Sequence, residues 1–291
     1  MSVRIAQLWC YPLKSAGGIA LEQALLGASG LQADRSWMLT TPTGRFLTQR
    51  EVPRLALIRP ILDGDTLQLH ALQPPGTPRP EPPLPDLRVP LQGDGRRVEV
   101  RIWKDGCLGV DAGDEAARWL ARVLQRDCRL VRFDPARRRL SPRRWTGAIE
   151  AENRFSDGFP LLVISEASLE DLNSRLQRPL PMSRFRPNIV LAGAAAYDED
   201  RIDELSDGPL RLKLVRPCAR CRITTTNQET AELEGDEPLT TLKSYRYDAA
   251  LRGVLFGQNA LIVSGVGSVL RRGQSLQVRW KPRRRSGMAT P

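Results

Sequence analysis

Through the first ninety residues, short apolar segments alternate with turn residues and nothing of helical period lies between them, a spacing that limits the fold more than any other feature of the chain. Ser2–Cys10 and residues 36–41 read as strands, Gly17 and Gly18 as a turn, and Asp63-Gly64-Asp65 as a tight turn joining residues 57–62 to 66–72. Strands in that succession, without helices between them, predict an antiparallel or barrel-like unit. Residues 73–90 hold eight prolines and little periodicity, which predicts an exposed, extended loop. Residues 98–102 return to strand. Asp114–Leu124 then reads as a helix, with Asp114 as its cap, Glu115 at its positive end, and Trp119, Leu120, Val123 and Leu124 as one apolar stripe.

The second half mixes elements. Residues 160–164, 188–191, 210–215, 223–226, 260–264 and 275–280 read as strands, and Ser165 caps a helix carrying Leu169, Leu172 and Leu176. With 41% hydrophobic and 26% charged residues, the 291-residue chain supports one large or two medium globular domains. No apolar run approaches the ~18–20 residues that span a bilayer. The first residues carry no long apolar segment or cleavage site, so no export signal is read, no membrane partner is expected, and the expected location is cytoplasmic.

The chain carries 44 Lys+Arg against 33 Asp+Glu, and only five of the 44 are lysine. A uniform arginine excess is not a patch, and nucleic-acid binding needs a patch. The densest run, residues 137–144 (RRRLSPRR), reads as a solvated loop near a domain boundary and as a docking surface for an acidic electron-transfer protein. Together with Arg283–Arg285 it is the only candidate nucleic-acid surface, and no nucleic acid is expected as a partner.

One histidine and five cysteines narrow the chemistry. His70, in the alternating segment TLQLHA, reads as a solvent-facing strand residue, so His-rich zinc or di-iron sites are excluded. Cys10, Cys107 and Cys128 read as small buried hydrophobes. Cys218 and Cys221, in Arg216-Pro217-Cys218-Ala219-Arg220-Cys221-Arg222, stand among arginines that favour thiolate, the form that attacks or binds metal. A zinc site would need a second pair of ligands that the spacing does not offer. A thioredoxin-like pair would need a helix after it, where β-branched residues 223–226 stand instead.

This cysteine segment resembles that of the MOSC family, the molybdenum cofactor sulfurase C-terminal domain proteins, and in particular the branch of amidoxime-reducing components. Tyr11-Pro12-Leu13-Lys14-Ser15, Asp34-Arg35-Ser36-Trp37, Ser156-Asp157-Gly158-Phe159-Pro160, Ser165-Glu166-Ala167-Ser168-Leu169, Phe185-Arg186-Pro187-Asn188, Leu242-Lys243-Ser244-Tyr245-Arg246 and Phe256-Gly257-Gln258 occur in the family's order. The resemblance implies a mainly β fold with some α (α+β). Residues 1–122 would form an N-terminal β-barrel-like domain, 123–281 a MOSC β-barrel-type domain with a few helices, and 282–291 a disordered basic tail.

The resemblance also implies a molybdenum–molybdopterin cofactor, with Cys221 as the protein's metal ligand and Cys218 as a supporting or buried thiol. It places Lys14, Ser15, Arg35 and Arg186 at the cofactor, where a point charge, a hydroxyl and two planar guanidinium forks suit a phosphate. Asp157, Gly158, Phe159, Asn188 and Arg220 join them, with Asp157 also considered as a proton source in catalysis beside Cys221. Pyridoxal phosphate is not expected. The implied activity is oxygen-atom transfer from N-hydroxylated or N-oxide compounds, with electrons from a separate ferredoxin-, flavin- or cytochrome-type protein. The alternatives are a persulfide carrier using Cys221 or Cys218, or a cofactor carrier. Relatives often carry Asp where this chain has Asn227, so hydrogen bonding just after Cys221 is a point of departure.

Overall fold

The computed structural model describes residues 1–74, 76–77 and 83–282. The expected tail beyond Pro282 lies outside them, as does part of the proline-rich stretch. Seven strands close into a barrel: β1 Ser2–Cys10, β2 Leu161–Ser165, β3 Ile189–Ala192, β4 Ile202–Asp207, β5 Leu210–Ala219, β6 Gly253–Ser264 and β7 Ser275–Trp280. Around the ring the order is β2-β3-β1-β7-β4-β5-β6, and β6 returns to β2 through Leu161↔Ala260 and Val163↔Gln258. The β2–β3 pair is parallel, as a crossover requires; the other pairs are antiparallel. Alternate residues point inward and fill the barrel: Val3, Ile5, Val163, Ile189, Leu191, Leu205, Leu212 and Leu276 are almost wholly buried. The ring joins both ends of the chain, since β1 sits between β3 and β7.

Beside the barrel stands a four-stranded antiparallel sheet ordered Trp37–Thr40, Arg129–Phe133, Asp105–Asp111, Arg97–Ile102, and a three-stranded sheet of Ile58–Asp63, Thr66–Ala71 and Leu87–Pro90. Helix α1, Asp114–Leu124, lays Ala116, Trp119, Leu120 and Leu124 against Leu39, Ile58, Leu67, Leu69, Val89 and Leu130. Three further α-helices complete the described residues: α2 Arg143–Thr146, α3 Glu166–Ser174 and α4 Leu239–Arg246. The expected class, mainly β with a few helices, is what the chain adopts.

Several local expectations fail for identifiable reasons. The cap of α1 is Gly113, and Asp114 lies inside the first turn with its carboxylate taken by Arg129 at 2.6 Å. Residues 223–226 form no strand: Arg222–Thr225 is a 3-10 turn in which the Thr224 and Thr225 hydroxyls donate back to the Cys221 and Arg222 carbonyls at 3.0 and 2.9 Å. Threonine's capacity for such local bonds overrides its β preference. Part of the proline-rich segment is ordered as strand Leu87–Pro90, because Leu87 and Val89 find apolar partners on one face. By contrast α3 starts as the sequence says, with Ser165 Oγ accepting from the Ser168 amide at 3.1 Å. His70 is exposed beside Asp86, and Cys10, Cys107 and Cys128 are buried.

Candidate cofactor cleft

A cleft opens where loops of the sheet unit meet loops at the barrel's end. Its lining comes from Lys14 and Ser15 in the turn after β1, from Arg35, from Thr48 and Arg50, from the loop before β2 (Ser156 to Phe159), from Phe185, Arg186 and Asn188 before β3, and from Cys218 to Cys221 at the end of β5 and just beyond it. Every site residue expected from the sequence borders it, drawn from positions 14 to 221. Pairing of β5 with β6 slips three times, the last slip lying between Pro217 and Ala219. Bulges of this kind bend a strand and re-aim its side chains next to a site.

Backbone strain collects here. Ser15, Arg35 and Arg186 all have left-handed backbone, φ +67°, +45° and +56°. Each such non-glycine residue costs on the order of 1–3 kcal/mol and persists only where its surroundings fix it. The Arg35 guanidinium donates to Asn188 Oδ1 at 2.9 Å and to the Arg186 carbonyl at 3.1 Å, and pairs with buried Asp34. The Tyr11 ring lies between two cations, 4.5 Å from the Arg35 guanidinium carbon and 4.3 Å from that of Arg186. This cation–π contact ties both guanidiniums to one ring beside the cleft that both residues line.

Lys14 is buried and its Nζ donates to the Phe155 carbonyl at 2.8 Å and to Asp157 Oδ1 at 2.6 Å. Desolvation by itself would raise the Asp157 carboxyl, but the ammonium of Lys14 and the guanidinium of Arg50 outweigh it and hold the group well below the usual carboxylate range. Asp157 is therefore an anion at neutral pH, suited to accepting hydrogen bonds. That differs from the expectation that it also supplies protons, because the adjacent cation stabilises its ionised form. Asn188 uses its oxygen on Arg35 and the Leu162 amide (3.1 Å) and one amide hydrogen on the Trp9 carbonyl (3.1 Å), so it positions Arg35 and the start of β2. The Phe159 ring packs into the barrel-side core with Ala151 and Leu261, leaving its backbone on the cleft.

At the cysteine end, Arg220 Nη1 meets Cys218 Sγ at 3.0 Å while its Nη2 donates to the Phe185 carbonyl at 2.7 Å. Arg50 Nη2 stands 3.4 Å from Cys221 Sγ. Each sulfur thus faces a guanidinium. Cys218 packs against the cluster of Phe185, Val190 and Phe256. After Cys221, Asn227 Oδ1 accepts from the Glu229 amide at 2.8 Å and its amide donates to Glu234, a turn role within the segment flagged as a departure.

Four contributors escape sequence reasoning. Arg50 and Thr48 stand in a run, Leu47-Thr48-Gln49-Arg50, with no periodicity to mark it. Gln49, fully buried, donates to the Ser15 carbonyl at 2.7 Å and exchanges two 3.0 Å bonds with Gln228, tying the turn that holds Lys14 to the segment after Cys221. Arg139, expected to be solvated with the rest of run 137–144, is buried. It binds Asp105 at 2.9 Å, Asn153 Oδ1, and the carbonyls of Arg154, Ser156 and Asp157, and so fixes the loop that carries Asp157. A buried guanidinium with this many acceptors is a scaffold element.

The donor set suits an anionic group that carries its own metal. Lys14, Arg35, Arg50, Arg186 and Arg220 face the cleft against only Asp34 and Asp157 as near anions. Arg186 has no carboxylate partner among the described residues, and burial pushes its pKa down to about 10. Arg220 Nε is buried without a hydrogen-bond partner. Uncompensated buried cations are costly unless an anion completes them. Among the described residues no group of three or more His, Cys, Asp or Glu could hold a metal ion. A metal here would thus be bound by one protein thiolate and by ligands it arrives with.

No helix among the described residues is long and apolar enough to cross a membrane. Residues 2–127 match the family model of the MOSC N-terminal beta barrel domain, and residues 150–279 match that of the MOSC domain. Over 266 residues the chain is 39% identical to mitochondrial amidoxime-reducing component 1 of Mus musculus, covering 87% of this chain and 74% of that protein. The Homo sapiens protein of the same name is 37% identical over 266 residues, with 88% and 76% covered. Mitochondrial amidoxime reducing component 2 of Bos taurus is 34% identical over 251 residues, with 83% and 72% covered.

Proposed function

The chain belongs to the MOSC family, and on that premise we propose that it holds a molybdenum–molybdopterin cofactor in the cleft and reduces N-hydroxylated or N-oxide compounds. The observation that carries this reading is the convergence of cations from positions 14 to 220 on one thiol-bearing cleft, where half-buried Arg186 has no carboxylate partner among the described residues. Relatives that match most of the chain are named as amidoxime-reducing components.

Lys14, Ser15, Arg35 and Arg186 would hold the phosphate end, the two guanidiniums offering donor forks and Lys14 a point charge. Asp157, as an anion, accepts from ring N–H donors, with the backbone at Gly158 and Phe159 beside it, and Arg220 spans from Cys218 to Phe185. Cys221 would be the protein's ligand to the metal, with the Arg50 guanidinium beside its sulfur. When bound, the cofactor supplies two-electron oxygen-atom acceptance, so that R–NH–OH with two protons and two electrons gives R–NH2 and water. The electrons come singly from a separate donor protein.

Replacing Cys221 by Ser tests the reading. Reductase activity with an artificial donor should fall about 100-fold or more, while the thermal midpoint and pterin content hold. Full activity in Cys221→Ser overturns it. Mass spectrometry that finds a persulfide on Cys221 and no bound molybdenum would replace it with the sulfur-carrier reading.

A further inference from the structure

At the rim of the cleft the hairpin between Arg97–Ile102 and Asp105–Asp111 turns through two residues, Trp103 and Lys104. Trp103 has φ +54°, in the left-handed region, where two-residue hairpins favour glycine, asparagine or aspartate. A bulky residue there is a strained choice. Its side chain is nonetheless 46% exposed, so the strain is not offset by burial in a core. The indole stacks face-on with Arg50, 4.5 Å from the guanidinium carbon, meets Phe46 edge-to-face at 5.0 Å, and directs its N–H to Asp157 Oδ1 at 3.3 Å. The same Arg50 reaches Cys221 Sγ at 3.4 Å. Apart from that sulfur, no acceptor for the Arg50 guanidinium is found among the described residues, so it keeps donors to spare beside the candidate reaction centre.

We propose that Trp103 and Arg50 form the substrate platform of this protein: Arg50 donates hydrogen bonds to the nitrogen-bound oxygen, and Trp103 stacks on a flat, conjugated substrate body. The inference rests on the reductase reading and narrows it. A planar, uncharged, sp2-hybridised N-oxygenated compound gains both contacts. A small aliphatic one gains only the first, and a cationic one is opposed by Arg50. Arg50, Phe46 and Asp157 hold the indole in place, yet the residue stays 46% exposed at the rim, so the strained hairpin presents indole surface that a stacking partner can cover. Trp103 and Arg50 are positioning and specificity residues; Cys221 remains the reacting centre's ligand.

The test compares an aryl amidoxime with acetamidoxime, using cofactor-loaded protein and an artificial reductant, in wild type, Trp103→Gly, Trp103→Phe and Arg50→Lys. In Trp103→Gly the selectivity ratio of kcat/KM, aryl over methyl, should fall about tenfold through KM and not kcat. Its thermal midpoint should hold or rise, because glycine relieves the turn. Trp103→Phe should restore most of the ratio, and Arg50→Lys should weaken both substrates. An unchanged ratio in Trp103→Gly, or equal losses for both substrates, overturns the platform. Should the wild type reduce neither compound, the reductase reading fails by itself. The platform is then judged by binding: the aryl compound should quench tryptophan emission in wild type and not in Trp103→Gly, and equal quenching in the two proteins sinks it.

Discussion

Run 137–144 and the cleft are the two most cationic features of the molecule, and they differ in what has become of their charge. In the run, four of the five arginines crowded along eight residues are met by nearby acids: Arg137 by Glu99, Arg138 by Glu150 and Glu152, Arg139 by Asp105, and Arg143 by Glu150, while Arg144 has no ion pair among the described residues. In the cleft, cations spread over two hundred residues converge, and Arg50, Arg186 and Arg220 have no carboxylate partner among the described residues. Charge dense in sequence is balanced locally, and charge gathered by the fold is left unbalanced where a ligand would balance it. The docking role first read into the run therefore has mostly ion-paired charge to act through, and such a surface offers little net field.

The largest effect should come from the one arginine that crosses this division. Arg139 belongs to the run by sequence and to the cleft by contact, with its side chain 5% exposed. Arg139→Met removes the donors that hold the Arg154, Ser156 and Asp157 carbonyls and strands Asp105 and Asn153. It should cost about 3 kcal/mol in urea unfolding and release the Asp157 loop, lowering cofactor content as well. A loss no greater than that of the exposed arginines in the run would return Arg139 to the surface group.

Arg186→Met sharpens the other side. Molybdenum and pterin content of the purified protein should drop about tenfold, as for loss of a charge-assisted fork. The cofactor-free chain should be as stable as wild type or more so, because a half-buried charge without a carboxylate partner has been removed. Falling stability with unchanged cofactor content would mean that Arg186 supports the fold and not the ligand.

Much of this was legible in local pattern and the rest was not, for physical reasons. The alternation in Ser2–Cys10 and Ser275–Trp280 is local and foretells strands; that β1 closes a ring between β3 and β7 depends on pairings far apart in sequence. Asp105–Asp111 reads DGCLGVD, whose glycines and aspartates hide a strand held by its neighbours. The site residues were recognisable as motifs, whereas their convergence, and the roles of Arg50, Gln49 and Arg139, follow from contacts between segments that no single stretch reveals. The run misled because the sequence shows its arginines together but not the acids that the sheet places beside them.

A smaller effect concerns pH. The folded pKa of Asp157 lies below its unfolded value, about 3.9 for aspartate, so the stability it contributes is complete above that value and lost as pH falls through the folded one. Wild type and Asp157→Asn should therefore differ in thermal midpoint by a constant amount from neutral pH down to about 4, with the difference shrinking in stronger acid. A difference that instead grew on acidification would mean that Lys14 does not hold the carboxyl ionised.

The smallest effect is expected where the sequence looked most charged. Arg137→Gln with Arg138→Gln removes two exposed cations whose charge is already met by Glu99, Glu150 and Glu152. The variant exposes those acids, so the local field turns negative instead of merely losing positive charge. Were this face the docking surface for an acidic electron donor, donor-driven turnover would fall steeply at low ionic strength and recover with salt, because long-range steering is screened. Because the unbalanced charge lies at the cleft, turnover should instead stay within about twofold of wild type at low and high ionic strength, with KM for the donor unchanged. Arg222→Gln, next to Cys221 and without an ion-pair partner among the described residues, should show the larger salt-dependent loss of the two. The reverse ranking would place donor entry on the run and undo the distinction between spent and unspent charge.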